Sequence, residues 1–226
     1  MNILALDCAV TRISLAVKTE NKFISATYDI GMRQSEILVP SIDELLKKAD
    51  IKPSDLNATC LTIGPGSFTG LRLGISALKA IELAYGVPVY GISSLEAYAY
   101  PYKSFGLPVI SCIDANKDKF YCRVTDGENI LLKDDDYEIE KILEGTRALD
   151  KAVICGPDAA KLEEKLSSAM PEKKYLLPGV SAMTAESLIL ITEGLIAQGA
   201  APLKDFDGPV YLRASEAELK LNGTIS

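Results

Sequence analysis

The 226-residue chain contains no histidine. This absence removes Ser-His-Asp and Cys-His catalysis, HExxH-type zinc sites and every imidazole general base, so chemistry must come from carboxylates, lysine, tyrosine, cysteine or a bound cofactor. Positive charge is also short: 24 Lys and Arg stand against 31 Asp and Glu, giving a formal net charge of -7 and a pI near 4.8. Such a balance lacks the general attraction for phosphate backbones on which nucleic-acid binders depend. The five cysteines, at 8, 60, 112, 122 and 155, form no CxxC pair and mostly sit in apolar runs. Reduced, buried thiols are expected, not a disulfide or zinc framework. No apolar run is long enough to cross a bilayer and no basic-then-apolar segment opens the chain, so cytoplasm is the expected compartment.

Residues 61–84, LTIGPGSFTGLRLGISALKAIELA, carry the strongest signal: a strand end, a turn with three glycines, then a helix. Gly64-Pro65-Gly66 supplies permissive backbone around a fixed proline, and Ser67 stands where an N-cap hydroxyl satisfies the first free N–H groups. Glycine-rich turns into helices also cradle phosphates. Here the spacing GxGxxxG fits neither standard phosphate pattern, and Leu71-Arg72 occupies the place of the required Lys-Ser/Thr. On the helix, Leu71, Gly74, Ile75, Leu78, Ile81 and Tyr85 fall on one side, while Thr69, Leu73, Ser76, Ala80 and Leu83 fall on the other. A helix apolar on two faces is buried on both. Either it is sandwiched inside its own domain, or one face packs on its own sheet and the other meets another protein.

Along the chain, residues 2–7, 13–18 and 23–28 read as strands, and residues 34–49 as a helix with Leu38, Ile42, Leu45 and Leu46 at helical spacing. Pro40 predicts a start or bend there, with Ser41 and Glu44 as a capping box. Residues 55–63 and 87–92 read as strands, and 95–100 as a short helix. The turn-rich stretch 101–108 marks a boundary, giving halves 1–104 and 105–226, with the last helix or tail able to return to the first half. Beyond it come helices at 137–143, 158–167 and 184–198, strands at 153–156 and 175–177, and a solvated charge run at 133–136. Strands alternating with helices argue α/β.

The second half resembles the first. Aligned without gaps, LALDCAVTRISLAVKT at 4–19 meets SCIDANKDKFYCRVTD at 111–126, placing Asp7 on Asp114, Ile13 on Phe120, Leu15 on Cys122 and Val17 on Val124. Two halves on one plan account for this, although any two strand-Asp-turn-strand units look alike.

The segments GPGSFTGLRLG (64–74), LALDCAVTRISLAV (4–17), QSEILVPSIDELL (34–46), GVPVYGISSLEA (86–97), IDANKDKFY (113–121) and PVYLR (209–213) together resemble the TsaB (YeaZ) family of bacterial tRNA threonylcarbamoyladenosine biosynthesis proteins. The resemblance runs to about residue 218. It implies a duplicated fold of the actin/Hsp70/sugar-kinase (ASKHA) type, with two sheet-plus-helix halves. It further implies a non-catalytic relative of TsaD that pairs with and activates that subunit, with the ATPase TsaE as third member. ATP, Mg and threonylcarbamoyl-adenylate are then used by the complex, with none bound by this chain alone, and tRNA is met only through the complex. Self-association through the two-faced helix in the partner's absence stays open. Candidate interface residues are Ser35, Leu38, Ile42 and Leu45 on the first helix and Phe68, Thr69, Arg72, Leu73, Ser76 and Ala80 on the second; no catalytic residue and no metal site is assigned.

Two departures from the family pattern stand out. Cys8-Ala9 replaces the hydroxyl pair that follows the first-strand Asp, and Gln34 replaces a His before Ser35. The rival reading is an independent enzyme on the same fold, kinase-like or peptidase-like. The missing histidine opposes a peptidase. Asp7 and Asp114 are weak nucleotide or Mg²⁺ candidates, because their turns lack donor-rich composition and each Asp is more readily a cap for its own turn.

Overall fold

The computed structural model describes residues 1–31, 33–179 and 184–213. The chain begins with three antiparallel strands, β1 (Ile3–Asp7), β2 (Arg12–Lys18) and β3 (Phe23–Asp29), followed by helix α1 (Gln34–Ala49). Strand β4 (Ala58–Gly64), helix α2 (Phe68–Tyr85), strand β5 (Val89–Ser93) and helix α3 (Ser94–Ala99) complete the first half. A 3-10 stretch at Tyr100–Phe105 leads into the second. That half repeats the plan with β6 (Val109–Asn116), β7 (Lys119–Asp126), β8 (Asn129–Glu138), α4 (Ile139–Thr146), β9 (Lys151–Cys155), α5 (Ala159–Ala169), β10 (Lys174–Leu176) and α6 (Thr184–Ala197).

The first sheet has the order β3-β2-β1-β4-β5 and the second β8-β7-β6-β9-β10. Replacing each strand by its counterpart turns one order into the other, with the same antiparallel and parallel pairings. This is the duplicated α/β architecture of the actin/Hsp70/sugar-kinase type. Central strand β1 is buried throughout and therefore reads as an apolar run, whereas edge strand β3 alternates between exposed and half-buried.

Among the described residues the core forms four layers of side chains. On one face of the first sheet, Leu4, Leu6, Ile13, Leu15 and Val17 meet Leu38, Ile42 and Leu45 of α1 and Ile75 and Leu78 of α2. On the other, Ile3, Ala5 and Cys60 meet Ala97 of α3 and Leu188 and Ile189 of α6. In the second half, Ile110, Cys112, Phe120 and Cys122 pack on α4 and α5. Its opposite face receives Leu95, Tyr98 and Ala99 of α3, so this short helix lies between the two sheets.

The register corrects the ungapped repeat by one residue over the first strand. Leu4↔Val17 and Leu6↔Leu15 face the outer helices of the first half, as Ile110↔Val124 and Cys112↔Cys122 do in the second. Leu15 and Val17 therefore do correspond to Cys122 and Val124, but Leu6 corresponds to Cys112, and Asp7 to Ile113 instead of Asp114. Because side chains alternate along a strand, that one-residue slip puts the two aspartates on opposite faces of their sheets.

Two local expectations also change. Helix α1 runs unbroken through Pro40, and Ser41 is a buried interior residue, not a cap. The proline forgoes the bond to the Glu36 carbonyl, while the Leu38, Ile42 and Leu45 stripe on the sheet holds the helix across it. The charge run 133–136 lies inside strand β8. Asp134 there pairs with Arg123 at 2.9 Å and accepts the Ser93 hydroxyl from the first half, so it serves as a tie between halves and is not simply solvated.

Candidate functional site

The glycine-rich turn is pressed against the β1–β2 turn. The Ser67 N–H donates to the Ala9 carbonyl at 2.6 Å, and the Ser67 hydroxyl caps α2 by accepting the Gly70 N–H at 3.3 Å. A Cβ at Gly70 would lie 2.1 Å from the Cys8 carbonyl oxygen, and one at Gly64, where φ is 127°, would lie 2.3 Å from the Val210 carbonyl oxygen. These glycines are there because backbone from elsewhere in the chain approaches closely. The start of α2, which in a phosphate loop would face a ligand, faces the chain's own carbonyls. Gln34, at the position of the family's His, is buried beside Gly70 and donates to the Val10 carbonyl.

The structure decides between the two faces of α2. Gly70, Leu71, Gly74, Ile75 and Leu78 are buried toward the sheet. Thr69, Arg72, Ser76, Ala80 and Leu83 are exposed, Leu83 at 90% of its surface, and Leu73 is half-buried at the edge of the core. Of the α1 candidates, Ser35 is exposed, whereas Leu38, Ile42 and Leu45 are at most 7% exposed and fill the first-half core. Those three are corrected from interface to core: a single apolar stripe packed on the sheet leaves nothing for a partner. The outward side of α1 carries Val39 instead, 62% exposed.

On the first turn of α2 two of the candidate interface residues, Phe68 and Arg72, form a cluster with Tyr211, a partner that sequence reasoning missed. The Tyr211 ring stacks on Phe68 with centroids 4.6 Å apart, and the Arg72 guanidinium lies 3.7 Å over the Phe68 ring while its Nε–H donates to the Tyr211 hydroxyl at 2.9 Å. For Tyr211 the hint was the PVYLR segment, which a reading of local pattern leaves as extended chain. Its contacts span 139 positions, beyond the reach of any local spacing rule.

Among the described residues, cavities line the cleft between the halves. The first, of about 250 Å³, is lined by Asp7, Arg12, Tyr98, Tyr102, Asp158 and Thr184, among others. Asp7 is 3% exposed; its Oδ1 accepts the Ala9 N–H at 3.0 Å and the Thr62 hydroxyl at 2.8 Å. Burial raises its pKa above the usual carboxylate range, against opposing hydrogen bonds from Ala9, Thr62, Thr184 and Tyr98. The second cavity, of about 470 Å³, is lined by Gly66, Ser67, Asp114, Ala115 and Asn116 together with neighbouring residues. Asp114 there accepts the Asn116 N–H at 3.0 Å and Lys161 Nζ at 2.5 Å. Partial burial works to raise its pKa, but Lys161 and the Asn116 N–H outweigh it and hold the group below the usual range. Each aspartate caps its own turn and lines a different cavity. Among the described residues no group of three or more Cys, Asp or Glu is placed to hold a metal. No helix among those residues is long and apolar enough to cross a membrane.

Residues 31–188, which include α1, the glycine-rich turn and α2, match the family described as TsaD, tRNA N6-adenosine threonylcarbamoyltransferase. The chain belongs to this family. Over nearly its whole length it is also similar to proteins named TsaB. It is 28% identical over 233 residues to the tRNA threonylcarbamoyladenosine biosynthesis protein TsaB of Bacillus subtilis, covering 97% of each chain. It is 27% identical over 238 residues to TsaB of Escherichia coli, covering 99% of each. YeaZ from Pseudomonas aeruginosa superposes with a TM-score of 0.72 at 24% identity, over 93% of this chain and 99% of that one, which shows the shared fold. These findings bear out the TsaB (YeaZ) resemblance read from GPGSFTGLRLG and its companion segments.

Proposed function

We propose that this chain is the non-catalytic, activating subunit of the assembly that installs the threonylcarbamoyl group on the tRNA adenosine beside the anticodon. It pairs with a TsaD-type catalytic subunit, and a TsaE-type ATPase joins the pair. ATP, Mg²⁺ and threonylcarbamoyl-adenylate are handled by the assembly, and the setting is the cytoplasm. The observation that carries the reading is the outward face of α2, where Thr69, Ser76, Ala80 and Leu83 are exposed on a helix whose other face is fixed to its own sheet. Small residues flanking an exposed leucine allow a partner's helix to approach closely, and the family match supplies the class of partner.

Support for a non-catalytic role comes from the chemistry absent at the site. No imidazole exists in the chain, the two cleft aspartates cap their own turns, and the Ser67 N–H before α2 is taken by the Ala9 carbonyl. The observations favour neither kinase nor peptidase.

The direct test is a binding titration of a purified TsaD-type subunit against the chain and its Ser76→Arg variant. An arginine at the centre of a packed interface adds bulk and an unpaired charge, which weakens binding at least about tenfold. Unchanged binding by folded Ser76→Arg protein refutes the α2 face; a wild-type chain that binds no TsaD-type subunit refutes the pairing.

A further inference from the structure

After α6 the chain returns across the first half as a strap. The Leu203 N–H donates to the Val89 carbonyl at 2.7 Å, Lys79 donates to the Lys204 carbonyl at 2.9 Å, and the Val210 N–H donates to the Ile63 carbonyl at 2.7 Å. Gly64 is bare so that the Val210 carbonyl can pass. The next residue, Tyr211, covers Phe68 and holds Arg72. Two residues further, Arg213 reaches the other half: it donates to the Ala115 carbonyl at 3.0 Å and lies 3.9 Å from Asp136 of β8. Four consecutive residues therefore bind β4 and α2 on one side and the β6–β7 hairpin on the other. They do so beside the 470 Å³ cavity, whose walls include Gly66 and Ser67 from the first half and Ala115 and Asn116 from the second.

We propose that residues 210–213 are a clasp that fixes the angle between the halves and sets the first turn of α2 in its binding geometry. Tyr211 is the positioning residue for Phe68 and Arg72, and Arg213 is its anchor on the second half. The physical reasoning is direct. Arg72 is an exposed, long side chain that on an unsupported helix would sample many rotamers, and each immobilised chain of that kind costs binding free energy when a partner docks. Here the ring stack, the cation over Phe68 and the hydroxyl acceptor fix it before any partner arrives. Any opening of the cleft that carries the β6–β7 hairpin away from the α2 start must first break the Arg213–Ala115 contact. The state of the cleft is thereby coupled to the readiness of α2, a link no local sequence feature provides. As an account of partner binding this rests on the α2 reading above; as an account of the chain's own architecture it does not.

The experiment has an arm for each. In the partner-free chain, nitroxides at Ser54→Cys and Ser168→Cys, both exposed positions in different halves, report the inter-half distance; the five native cysteines are buried and stay unlabelled. The wild-type strap gives one narrow distance, Arg213→Ala broadens it, and Arg213→Lys, which keeps a donor, restores most of it. In parallel, Tyr211→Ala speeds hydrogen exchange at the Ser67, Gly70 and Leu71 amides by about tenfold with little change in melting temperature, and Tyr211→Phe, which keeps the stack, stays near wild type. In the partner arm, Tyr211→Ala and Arg72→Ala each weaken binding to a TsaD-type subunit by about tenfold, and the double variant is no weaker than the worse single one, because the two residues act as a unit. An unchanged distance in Arg213→Ala together with unchanged exchange in Tyr211→Ala overturns the clasp. Fully additive losses in the double variant overturn the positioning role. If Ser76→Arg leaves binding intact, the α2 reading falls, and the distance and exchange arms still decide the clasp.

Discussion

The Tyr211 hydroxyl accepts the Nε–H of Arg72 at 2.9 Å, joining the C-terminal segment to the helix around which the sequence is organised. This contact turns the first turn of α2 from a loose helix end into a fixed surface of one cation and two stacked rings. Together with the small-residue face that follows it, this surface is the proposed partner-binding site.

Leu38 and Ser76 separate core from surface. Leu38 is completely buried, so Leu38→Ala lowers stability by about 2–5 kcal/mol, the range for truncating a core leucine. Ser76 is exposed, and Ser76→Arg shifts stability by no more than about 0.5 kcal/mol. Chemical denaturation of both variants checks the contrast. Equal losses would mean that the exposed face of α2 is in fact packed.

Gly70→Ala sets helix propensity against sterics. Inside a helix, alanine is worth roughly 1 kcal/mol over glycine. Here the added Cβ would sit 2.1 Å from the Cys8 carbonyl oxygen, a backbone atom that cannot rotate away. Overpacking of this kind costs about 3 kcal/mol, so the variant is net destabilised. A variant as stable as wild type would show that the β1–β2 turn does not rest on α2.

How much of this was legible in the sequence follows from how far each contact reaches. The alternating α/β order, the two-faced α2 helix and the Ser67 cap are local patterns, and the structure agrees with them. The halves were visible as a repeat, but the strand period of two concealed a one-residue slip that only hydrogen-bond register exposes. Periodicity showed that α2 has two apolar faces without saying which one the sheet takes. It marked Leu38, Ile42 and Leu45 as one stripe, a candidate partner interface, and the sheet covers it instead. The Tyr211 and Arg213 contacts join distant positions through extended chain, which has no period to read.

Asp7 gives a pH dependence with a definite sign. Burial raises its folded pKa above the unfolded value, so the folded protein holds that proton more tightly. Its contribution is fully present below the unfolded pKa and is lost as pH rises through the raised folded value. Asp7→Asn keeps an oxygen for the Ala9 N–H and the Thr62 hydroxyl, both of which go to Oδ1, and removes the titration. The melting temperature of the variant relative to wild type therefore climbs as pH rises from about 4 toward neutrality. A difference that stays flat, or falls, contradicts the raised pKa.

The chain alone is expected to bind tRNA no better than a generic acidic protein at physiological salt. Its basic residues cluster as Lys47-Lys48, Lys117-Lys119 and Lys173-Lys174, and four of these lysines are engaged by neighbouring acids: Lys47 with Asp43, Lys48 with Glu44, Lys119 with Glu138 and Lys173 with Asp150. A phosphate contact by any of those four would have to displace such a partner as well as steepen the salt dependence. A salt titration of labelled tRNA checks this. Micromolar binding with a steep slope, removed by neutralising one lysine pair, would mean that the chain presents tRNA directly.

The most direct test of the activating role is a reconstitution that measures threonylcarbamoyl transfer to tRNA. The mixture holds a TsaD-type subunit, a TsaE-type ATPase, threonylcarbamoyl-adenylate and tRNA, with the chain added, omitted, or replaced by Ser76→Arg. The expected result is no transfer by the chain alone, transfer on adding it to the other components, and loss of that gain with the folded Ser76→Arg variant. Robust transfer by the isolated chain, or an equal gain from Ser76→Arg, would contradict it.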